Sequence, residues 1–452
     1  MLLFFTLITI IIDLFYLFVS LKAVLKNRYS ILHLCSILFF IIQVLPLVVD
    51  MFNDVNSLGT HTKYLYNALT DENTAYLYNL FAIFVMVGLT STAQKFAHKR
   101  VNIMFQRTKA INSFYRLCIV LLMFAPVAAV ILAPTPEIYT NFSYFYTHSY
   151  NPLAVEYLYH RLVMPYIIYL SFLSILVYYY LIKGSTSKNI IMLLSSVICI
   201  WIDGKRGLLA FLIVGILLVD FIKNQTQSNW KLVKKGALLS CVFIAYFAVY
   251  SMFTTKNTDD SFYETYDAYF SRESEVKLSI YSRLNGADML PYDGATLLYD
   301  ITCYIPRFLW EDKPYGFFNY LTAYAYNGHA ETFMEGSNFQ VNIWSEYIAN
   351  FGLLGCILSL LFIIGIVRVS ERSNVAMLNI SGSVFVLIYL FFGFELIVMV
   401  LFYAWLYFFV FKRKIHRSRR NTSPAANRSK ARLGISFLIE FFQGCLFNFF
   451  HG

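Results

Sequence analysis

Runs of roughly 20 apolar residues recur along almost the whole chain, and each is long enough for a helix to cross about 30 Å of membrane hydrocarbon. Hydrophobic residues make up 58% of the 452 residues and charged residues only 14%, whereas soluble globular proteins carry about 25% charged residues. The sequence therefore predicts an all-α, polytopic integral membrane protein. Eleven spans are predicted, at 1–21, 30–49, 76–94, 114–133, 162–182, 189–204, 207–222, 236–253, 341–367, 377–394 and 396–411.

The distribution of lysine and arginine predicts the orientation, because loops on the cytoplasmic side are enriched in both residues. With the N-terminus outside, the inner loops hold 26 of the 36 basic residues and the outer side holds 10. This split explains the net charge of +10 as an insertion signal, so a nucleic-acid partner is not needed. The N-terminus lacks a basic region and a small-residue cleavage site, and we interpret it as a retained span.

These predictions divide the chain into four regions. Residues 1–253 would form eight spans with a tight outer turn at 203–206, and residues 254–340 a large periplasmic or extracellular loop. Residues 341–411 would supply three further spans. The basic, Ser/Asn/Pro-rich region 412–452 would be a cytoplasmic tail, and its apolar end is either an interfacial helix or a twelfth span.

The outer turn reads "WIDGKRGLLAF" and places Lys205 and Arg206 between two apolar runs. The positive-inside rule disfavours cations there, and Arg206 would stand at a helix N-terminus, where an anion beside it would be favoured. This pattern suggests anion binding. The alternative is that both side chains only snorkel to the membrane surface.

The large loop carries 13 of the 26 acidic residues and six basic ones, and a loop of this length is usually functional. "YSRLNG" supplies Arg283, and "CYIPRFLWEDKPYGFFNY" supplies Arg307 and Lys313 between two prolines that bar a helix. We expect a stiff arm that presents two cations to an anionic ligand. Ordinary ion pairs with Glu311, Asp312 or Asp300 are the alternative.

The loop returns to the membrane through "GSNFQVNIWSEYIANFGLLG", in which four polar residues recur every fourth position. On a helix they would form one polar stripe, and such groups usually face a cavity or the bundle interior. The carboxylate could act as a base or sugar-hydroxyl acceptor, or could pair with an outer arginine. The four residues are Asn338, Asn342, Glu346 and Asn350.

Single residues give weaker signals. His160 and Arg161 lie at the outer mouth of a span, and His329 lies in the large loop; each is a candidate ligand-binding or catalytic residue, with a structural role as the alternative. Asp13 and Glu395 fall near or within spans, where we expect hydrogen bonds inside the bundle.

No motif points to a metal or cofactor. The seven cysteines are scattered singly, which argues against a disulfide framework and a structural zinc site. HExxH, GxSxG and P-loop patterns are missing from the sequence, and so is an acidic DxD or ExD in the first outer loop. A cation-rich site of this kind suits a lipid-linked phosphate or pyrophosphate, with arginine and lysine in place of a metal.

Several segments together resemble the bacterial O-antigen polymerases (Wzy-type oligosaccharide repeat-unit polymerases). They are "GKRG" between two spans, "YSRLNGADMLPYDG", "IPRFLWEDKP" and "SEYIANFGLLG", and the resemblance covers roughly 202–355. Family members usually have more spans and an N-terminus inside, so the predicted topology departs from the family at its first or last span.

The resemblance implies a metal-independent, inverting glycosyltransferase of the GT-C type in the bacterial inner membrane, with its active site facing the periplasm. It would move a growing glycan from undecaprenyl pyrophosphate to a new lipid-linked repeat unit, with no cofactor and with a chain-length regulator protein as a further partner. By this resemblance, Arg206, Arg283 and Arg307 would hold pyrophosphate with Lys313 in support, and Glu346 would lie near the acceptor sugar. Catalytic candidates are thus Glu346, Arg206 and His329; substrate-binding candidates are Arg283, Arg307, Lys313, Lys205, Arg161, His160, Asn342 and Tyr347.

Two alternatives stay open. An O-antigen ligase uses the same donor but transfers the glycan to lipid A core, and a loop histidine such as His329 would favour it. A transporter or flippase of lipid-linked oligosaccharides usually shows charged residues near the membrane midplane and paired repeats. The sequence shows no repeat and few midplane charges, which argues against this class.

Overall fold

The computed structural model is helical throughout the part of the chain that it describes, and it contains no β-strand there. The sequence prediction of an all-helical protein is therefore confirmed for these residues. They are residues 1–26, 30–52, 62–96, 113–142, 144–147, 154–181, 186–204, 206–223, 234–242, 245–246, 271–286, 288–302, 305, 307, 309–329, 339, 341–372 and 376–390.

The helices of the N-terminal half run in chain order and include one π-helical turn and one short 3₁₀ helix. They are α1 (Leu2–Leu25), α2 (Ile31–Phe39), the π turn (Phe40–Val44), α3 (Leu45–Asp50), α4 (Lys63–Thr70), α5 (Glu72–Phe96), α6 (Ser113–Met123), α7 (Ala125–Ile131), the 3₁₀ helix (Pro136–Thr140), α8 (Tyr144–Thr147), α9 (Val155–Leu162), α10 (Met164–Leu181), α11 (Thr186–Asp203), α12 (Arg206–Lys223) and α13 (234–242).

The helices that follow belong to the large loop and to the apolar region after it. They are α14 (Glu273–Leu284), α15 (Ala295–Thr302), α16 (Phe317–Asn327), α17 (Ile343–Phe351), α18 (Leu353–Arg372) and α19 (Ala376–Tyr389).

Among the residues that the structure describes, four helical segments are long and apolar enough to cross a membrane: Leu2–Leu25, Ile31–Asp50, Glu72–Phe96 and Leu353–Glu371. Met164–Tyr179 and Asn189–Asp203 are shorter apolar helices. The protein is therefore a helical membrane protein. The count of eleven spans stays a prediction, and the span at 396–411 and the tail lie outside the described residues.

The predicted span at 30–49 contains a break that the sequence marks with a proline. Pro46 has no backbone N–H, so the carbonyl of Ile42, four residues earlier, loses its helical donor, and the chain passes through the π turn just before it. The freed carbonyl accepts the backbone N–H of Arg272, at 2.9 Å. The break thus anchors the large loop to the bundle.

A second proline break lies between α6 and α7, within the predicted span at 114–133. Pro126 occupies the first turn of α7, and the carbonyl of Met123 accepts the hydroxyls of Ser171 in α10 and Ser195 in α11. Apolar surroundings require such replacement partners, because an unpaired carbonyl there is costly.

An apolar core, which we call the loop core, joins the large loop to α4 and α17. Leu278 of α14, Leu321 and Tyr324 of α16 and Ala349 of α17 pack together with Leu65 of α4. This core joins the segment that follows α3 to both ends of the large loop, and it fixes the positions of the polar residues described below.

The predicted span at 341–367 consists of two helices. The first, α17, ends at Phe351, and Gly352 joins it to α18 with φ 60° and ψ −142°, a conformation open to glycine alone in practice. The sequence predicted one span here because apolar residues continue through both helices. Apolar content does not show where the backbone changes direction, so the break at Gly352 was missed. The apolar span is therefore α18, whereas α17 packs against α14 of the large loop.

Candidate functional site

Four charged residues of the large loop are buried where α14 meets the bundle. Arg272, Glu273, Glu275 and Lys277 each lose nearly all of their exposure, and we call them the buried charge cluster. Glu273 and Lys277 form an ion pair one helical turn apart. The Lys277 ammonium also lies 5.4 Å from the ring centroid of Tyr78 in α5, which is within the range of a cation–π contact.

The buried charge cluster rests on the π turn. The Tyr78 hydroxyl donates to the backbone carbonyl and the side-chain oxygen of Gln43, at 2.7 and 2.8 Å. The Asn342 side chain donates to the carbonyl of Arg272 at 3.4 Å. Because π turns occur frequently at functional sites, this meeting of π turn, α14 and α17 is the first part of the candidate site.

Asn342 also explains why α17 begins where it does. Its side-chain oxygen accepts the backbone N–H of Ser345, and the Ser345 hydroxyl accepts the backbone N–H of Asn342, a reciprocal capping box. Asn342 therefore stands just before the helix, and only Glu346 and Asn350 of the predicted stripe lie within α17. Asn338 lies outside the described residues.

Arg283 and Asn350 fasten the carboxyl end of α17 to the loop. The Arg283 guanidinium donates to the Ala349 carbonyl at 2.9 Å and pairs with Asp293. The Asn350 side chain donates to Thr296 at 2.7 Å and accepts the backbone N–H of Gly294 at 2.9 Å. Two segments that carried the family resemblance, "YSRLNGADMLPYDG" and "SEYIANFGLLG", are thus in direct contact.

Glu346 and Tyr347 face the interior from the middle of α17. Glu346 is only 1% exposed, and Tyr347 packs its ring against Phe362 of α18. Both lie within electrostatic range of Tyr389 in α19, together with Asp300 of α15. Arg283 of α14 donates to the carbonyl of Ala349, three residues after Glu346, so a cation contacts the short helix that carries the buried carboxylate.

Arg307 forms hydrogen bonds within its own segment, the arm between Pro306 and Pro314. Its guanidinium donates to the carbonyls of Lys313 and Pro314, at 2.8 and 3.2 Å, and stacks on the Tyr315 ring with 3.6 Å to the centroid. These contacts close the arm on itself. A substrate phosphate would have to share this guanidinium with its own loop, and the predicted binding role of Arg307 stays a prediction.

Lys313 is buried beneath the same arm. Its ammonium donates to the carbonyl of Ile305 at 2.8 Å and lies 3.5 Å from the carbonyl of Thr302, the last residue of α15. A cation is favoured at the carboxyl end of a helix, so this position stabilises α15. Its supporting role in pyrophosphate binding stays a prediction.

Two tyrosines of the loop core, Tyr320 and Tyr324, have raised pKa values. Burial raises the pKa of Tyr324 above its usual range, with the neighbouring Tyr281 and Tyr64 adding to the effect. Burial likewise raises the pKa of Tyr320. Both phenols therefore remain neutral hydrogen-bonding groups at physiological pH.

The remaining predicted site residues fall elsewhere in the structure. His160 of α9 is buried and stacks on Phe145, with 4.3 Å between ring centroids, whereas His329 is exposed just after α16. The helix α12 begins at Arg206. Lys205 and the side chains of Arg206 and Arg161 lie outside the described residues.

Sequence reasoning missed the buried charge cluster and its support, Gln43 and Tyr78. Two signals could have found them. Glu273 and Lys277 have the spacing of a helical ion pair, and Pro46 within an apolar span indicates a carbonyl that needs another partner.

Within the described part of the chain, no group of three or more His, Cys, Asp or Glu residues is placed to hold a metal ion. No protein-family model matches this chain, and neither a curated protein nor a solved structure matches it significantly.

Proposed function

We propose that this protein is a glycosyltransferase of the GT-C type that polymerises undecaprenyl-pyrophosphate-linked oligosaccharide repeat units on the periplasmic side of the bacterial inner membrane. The observation that carries the proposal is the meeting of Arg283 and α17, which places a cation within one turn of Glu346. The sequence resemblance of the same segments to O-antigen polymerases supports it independently.

The proposed reaction needs few groups. A hydroxyl of the acceptor sugar attacks the anomeric carbon of the donor, the bond from that carbon to the pyrophosphate oxygen breaks, and undecaprenyl pyrophosphate leaves with the bonding electrons. The hydroxyl proton passes to a base. Glu346 is the candidate for this role, because it is a buried carboxylate one helical turn from Ala349, which Arg283 contacts.

Cations would stabilise the negative charge of the pyrophosphate leaving group. Arg283 is partly exposed and lies at the end of α14, where it can reach a pyrophosphate at the surface of the loop. Such charge stabilisation contributes on the order of 3 kcal/mol per donor in enzymes whose oxyanion donors have been removed. Arg206 and Arg307 are the further candidates for this role.

The test begins with the natural substrate. Cells that lack this chain should accumulate single lipid-linked repeat units, and these are extracted and given to the purified full-length protein with and without EDTA. A ladder of longer lipid-linked products that survives EDTA is expected. Extracts without accumulated single units, or units that the protein does not lengthen, would refute the polymerase proposal.

Variants connect the activity to the site. We expect Glu346→Gln, which keeps the side-chain shape, and Arg283→Gln to reduce the ladder at least 100-fold, while the exposed Lys63→Gln on α4 leaves it unchanged. Supplying lipid A core to the same mixture tests the ligase. Transfer to that acceptor without lengthening of the repeat units would assign ligation in place of polymerisation.

A further inference from the structure

The first helix buries its polar residues and exposes its apolar ones. Its buried residues are Thr9, Ile10, Asp13 and Ser20, and only one of these is apolar. At 3.6 residues per turn, the three polar residues fall within about 40° of one another around the helix axis. The surface of α1 that faces the protein is therefore a polar stripe, which an apolar span does not need for packing.

The stripe meets polar residues of α2 and α5. Asp13 and Ser20 of α1, His33 and Ser36 of α2, and Thr90 of α5 are all fully buried, and we call these five residues the polar file. Phe5 of α1 lies against Tyr76 of α5, with ring centroids 5.7 Å apart, and Ser20 bonds to Thr90. The two helices therefore run parallel.

The hydrogen bonds that link His33, Ser20, Thr90 and Ser36 all run in one direction. The Ser36 hydroxyl donates to the Leu32 carbonyl at 2.9 Å, and the Thr90 hydroxyl donates to Ser36 at 3.1 Å. Each hydroxyl has a single proton, so Ser20 must donate to Thr90. His33 Nδ1, 3.2 Å from Ser20, must then donate to Ser20.

This direction defines the tautomer of neutral His33. A neutral imidazole that donates from Nδ1 has a bare lone pair on Nε2. Among the described residues, His33 Nε2 is buried and has no hydrogen-bond partner. The chain of hydroxyls thus ends at the imidazole of His33, whose Nε2 is buried and unpaired among the described residues.

Asp13, two helical turns from Ser20 on α1, is likewise buried and unpaired among the described residues. Both carboxyl oxygens are buried and lack a hydrogen-bond partner among the residues that the structure describes. Seven residues separate Asp13 from Ser20, which corresponds to roughly 10 Å along α1. Buried polar groups in proteins are almost always paired, so two such groups on one interface call for a ligand.

In the described part of the chain, the helices packed against α1 do not supply a counter-charge to Asp13. The titratable residues of the elements that pack against α1 are Glu72, Tyr76, Tyr78, Lys95, His33, Cys35 and Asp50. Of these, Tyr78 lies within electrostatic range of Asp13. Lys95 is in the last turn of α5, whereas the register of α1 and α5 places Asp13 beside residues about 83–86, roughly 15 Å away along the axis.

We propose that the polar file is a proton-binding site, in which Asp13 and His33 each take up and release a proton in exchange with the aqueous phase. A proton is the ligand that suits a carboxyl and an imidazole nitrogen in a packed interface, because it adds almost no volume. Uptake forms the O–H bond of Asp13 or the Nε2–H bond of His33, and release returns the proton to water. Chains of Asp, His and hydroxyl residues inside membranes commonly mark proton relays.

Infrared difference spectroscopy of the full-length protein in lipid tests this directly. A stepwise change of pH should produce a carboxylic-acid C=O band that shifts in D₂O, and Asp13→Asn should remove it. The exposed Asp288→Asn serves as the matched control and should leave it unchanged. No pH-dependent band in the wild-type protein, or the same band in Asp13→Asn, would overturn the proposal.

The imidazole provides a second and independent signal. Protonation of His33 should produce an imidazolium band that is lost in His33→Gln and altered in Ser20→Ala, because Ser20 accepts the Nδ1 proton. Histidine signals that do not change in either variant would exclude His33 from the site. Thermal unfolding of each variant, monitored by size-exclusion chromatography, verifies that the bundle is intact during these measurements.

Discussion

The helices α1 and α14 differ both in composition and in the kind of residue that they bury. Most residues of α1 are apolar, and only four of its 24 residues are buried, three of them polar. By contrast, α14 reads "ESEVKLSIYSRL", and eight of its twelve residues are buried, among them two glutamates and a lysine. Burial in these two helices therefore does not follow the hydrophobicity of the residue.

The difference follows from what surrounds each helix. A helix in lipid gains nothing by burying apolar side chains, because lipid tails are as apolar as leucine, so α1 turns its few polar groups inward. The helix α14 lies in a segment predicted to face water, where its apolar residues join the loop core and its charged residues pair with each other. The same physical rule thus produces opposite patterns in two solvents.

Breaking the ion pair on α14 should have the largest effect. Lys277→Met leaves Glu273 buried without its cation, which we expect to cost about 3–5 kcal/mol. The measurement is thermal unfolding of the purified protein, and the double variant Glu273→Gln/Lys277→Met should recover part of the loss. A single variant as stable as the wild type would mean that the pair does not hold α14 in place.

Removing an apolar contact from the loop core should come next. Leu278→Ala deletes a fully buried side chain of α14, and comparable core deletions cost about 2–5 kcal/mol. Limited proteolysis of the large loop should accelerate together with the loss of stability. Equal proteolysis rates in variant and wild type would contradict a folded loop core.

The joint between α17 and α18 should be sensitive to a single methyl group. A Cβ at Gly355 would lie 2.0 Å from the backbone oxygen of Tyr347, whereas a Cβ at Gly365 of the same helix meets nothing within 4 Å. We expect Gly355→Ala to destabilise the protein by roughly 1–3 kcal/mol through overpacking. Gly365→Ala is the control, and equal thermal stability of the two variants would refute the close contact.

Truncating a lipid-facing residue of α1 should have the smallest effect. Phe15 is 63% exposed, and we expect Phe15→Ala to change stability in lipid by less than about 0.5 kcal/mol. Leu278→Ala, which removes a smaller side chain, is the comparison. A larger loss from Phe15→Ala would show that α1 packs against a partner at that position.

Part of the candidate site could be predicted from local pattern. Glu346 and Asn350 were identified as members of a polar stripe and Arg283 as a cation of the large loop, and the structure brings all three to α17. The contacts of Arg307 and Lys313 with their own arm could not be predicted, since the sequence specifies that cations are present but does not specify which carbonyls they meet.

The sequence by itself determined the helical membrane class, because apolar runs of span length have few other solutions in lipid. Pro46 and Pro126 are visible in the sequence, but the predicted spans at 30–49 and 114–133 ran through both of the breaks. Only the tertiary structure decided that the backbone N–H of Arg272 donates to the freed carbonyl of Ile42. It also decided that α17 and α18 separate at Gly352, and that Asp13 and His33 lie in one polar interface. These features depend on contacts between residues distant in the chain, and no local pattern encodes which distant residue completes a hydrogen bond.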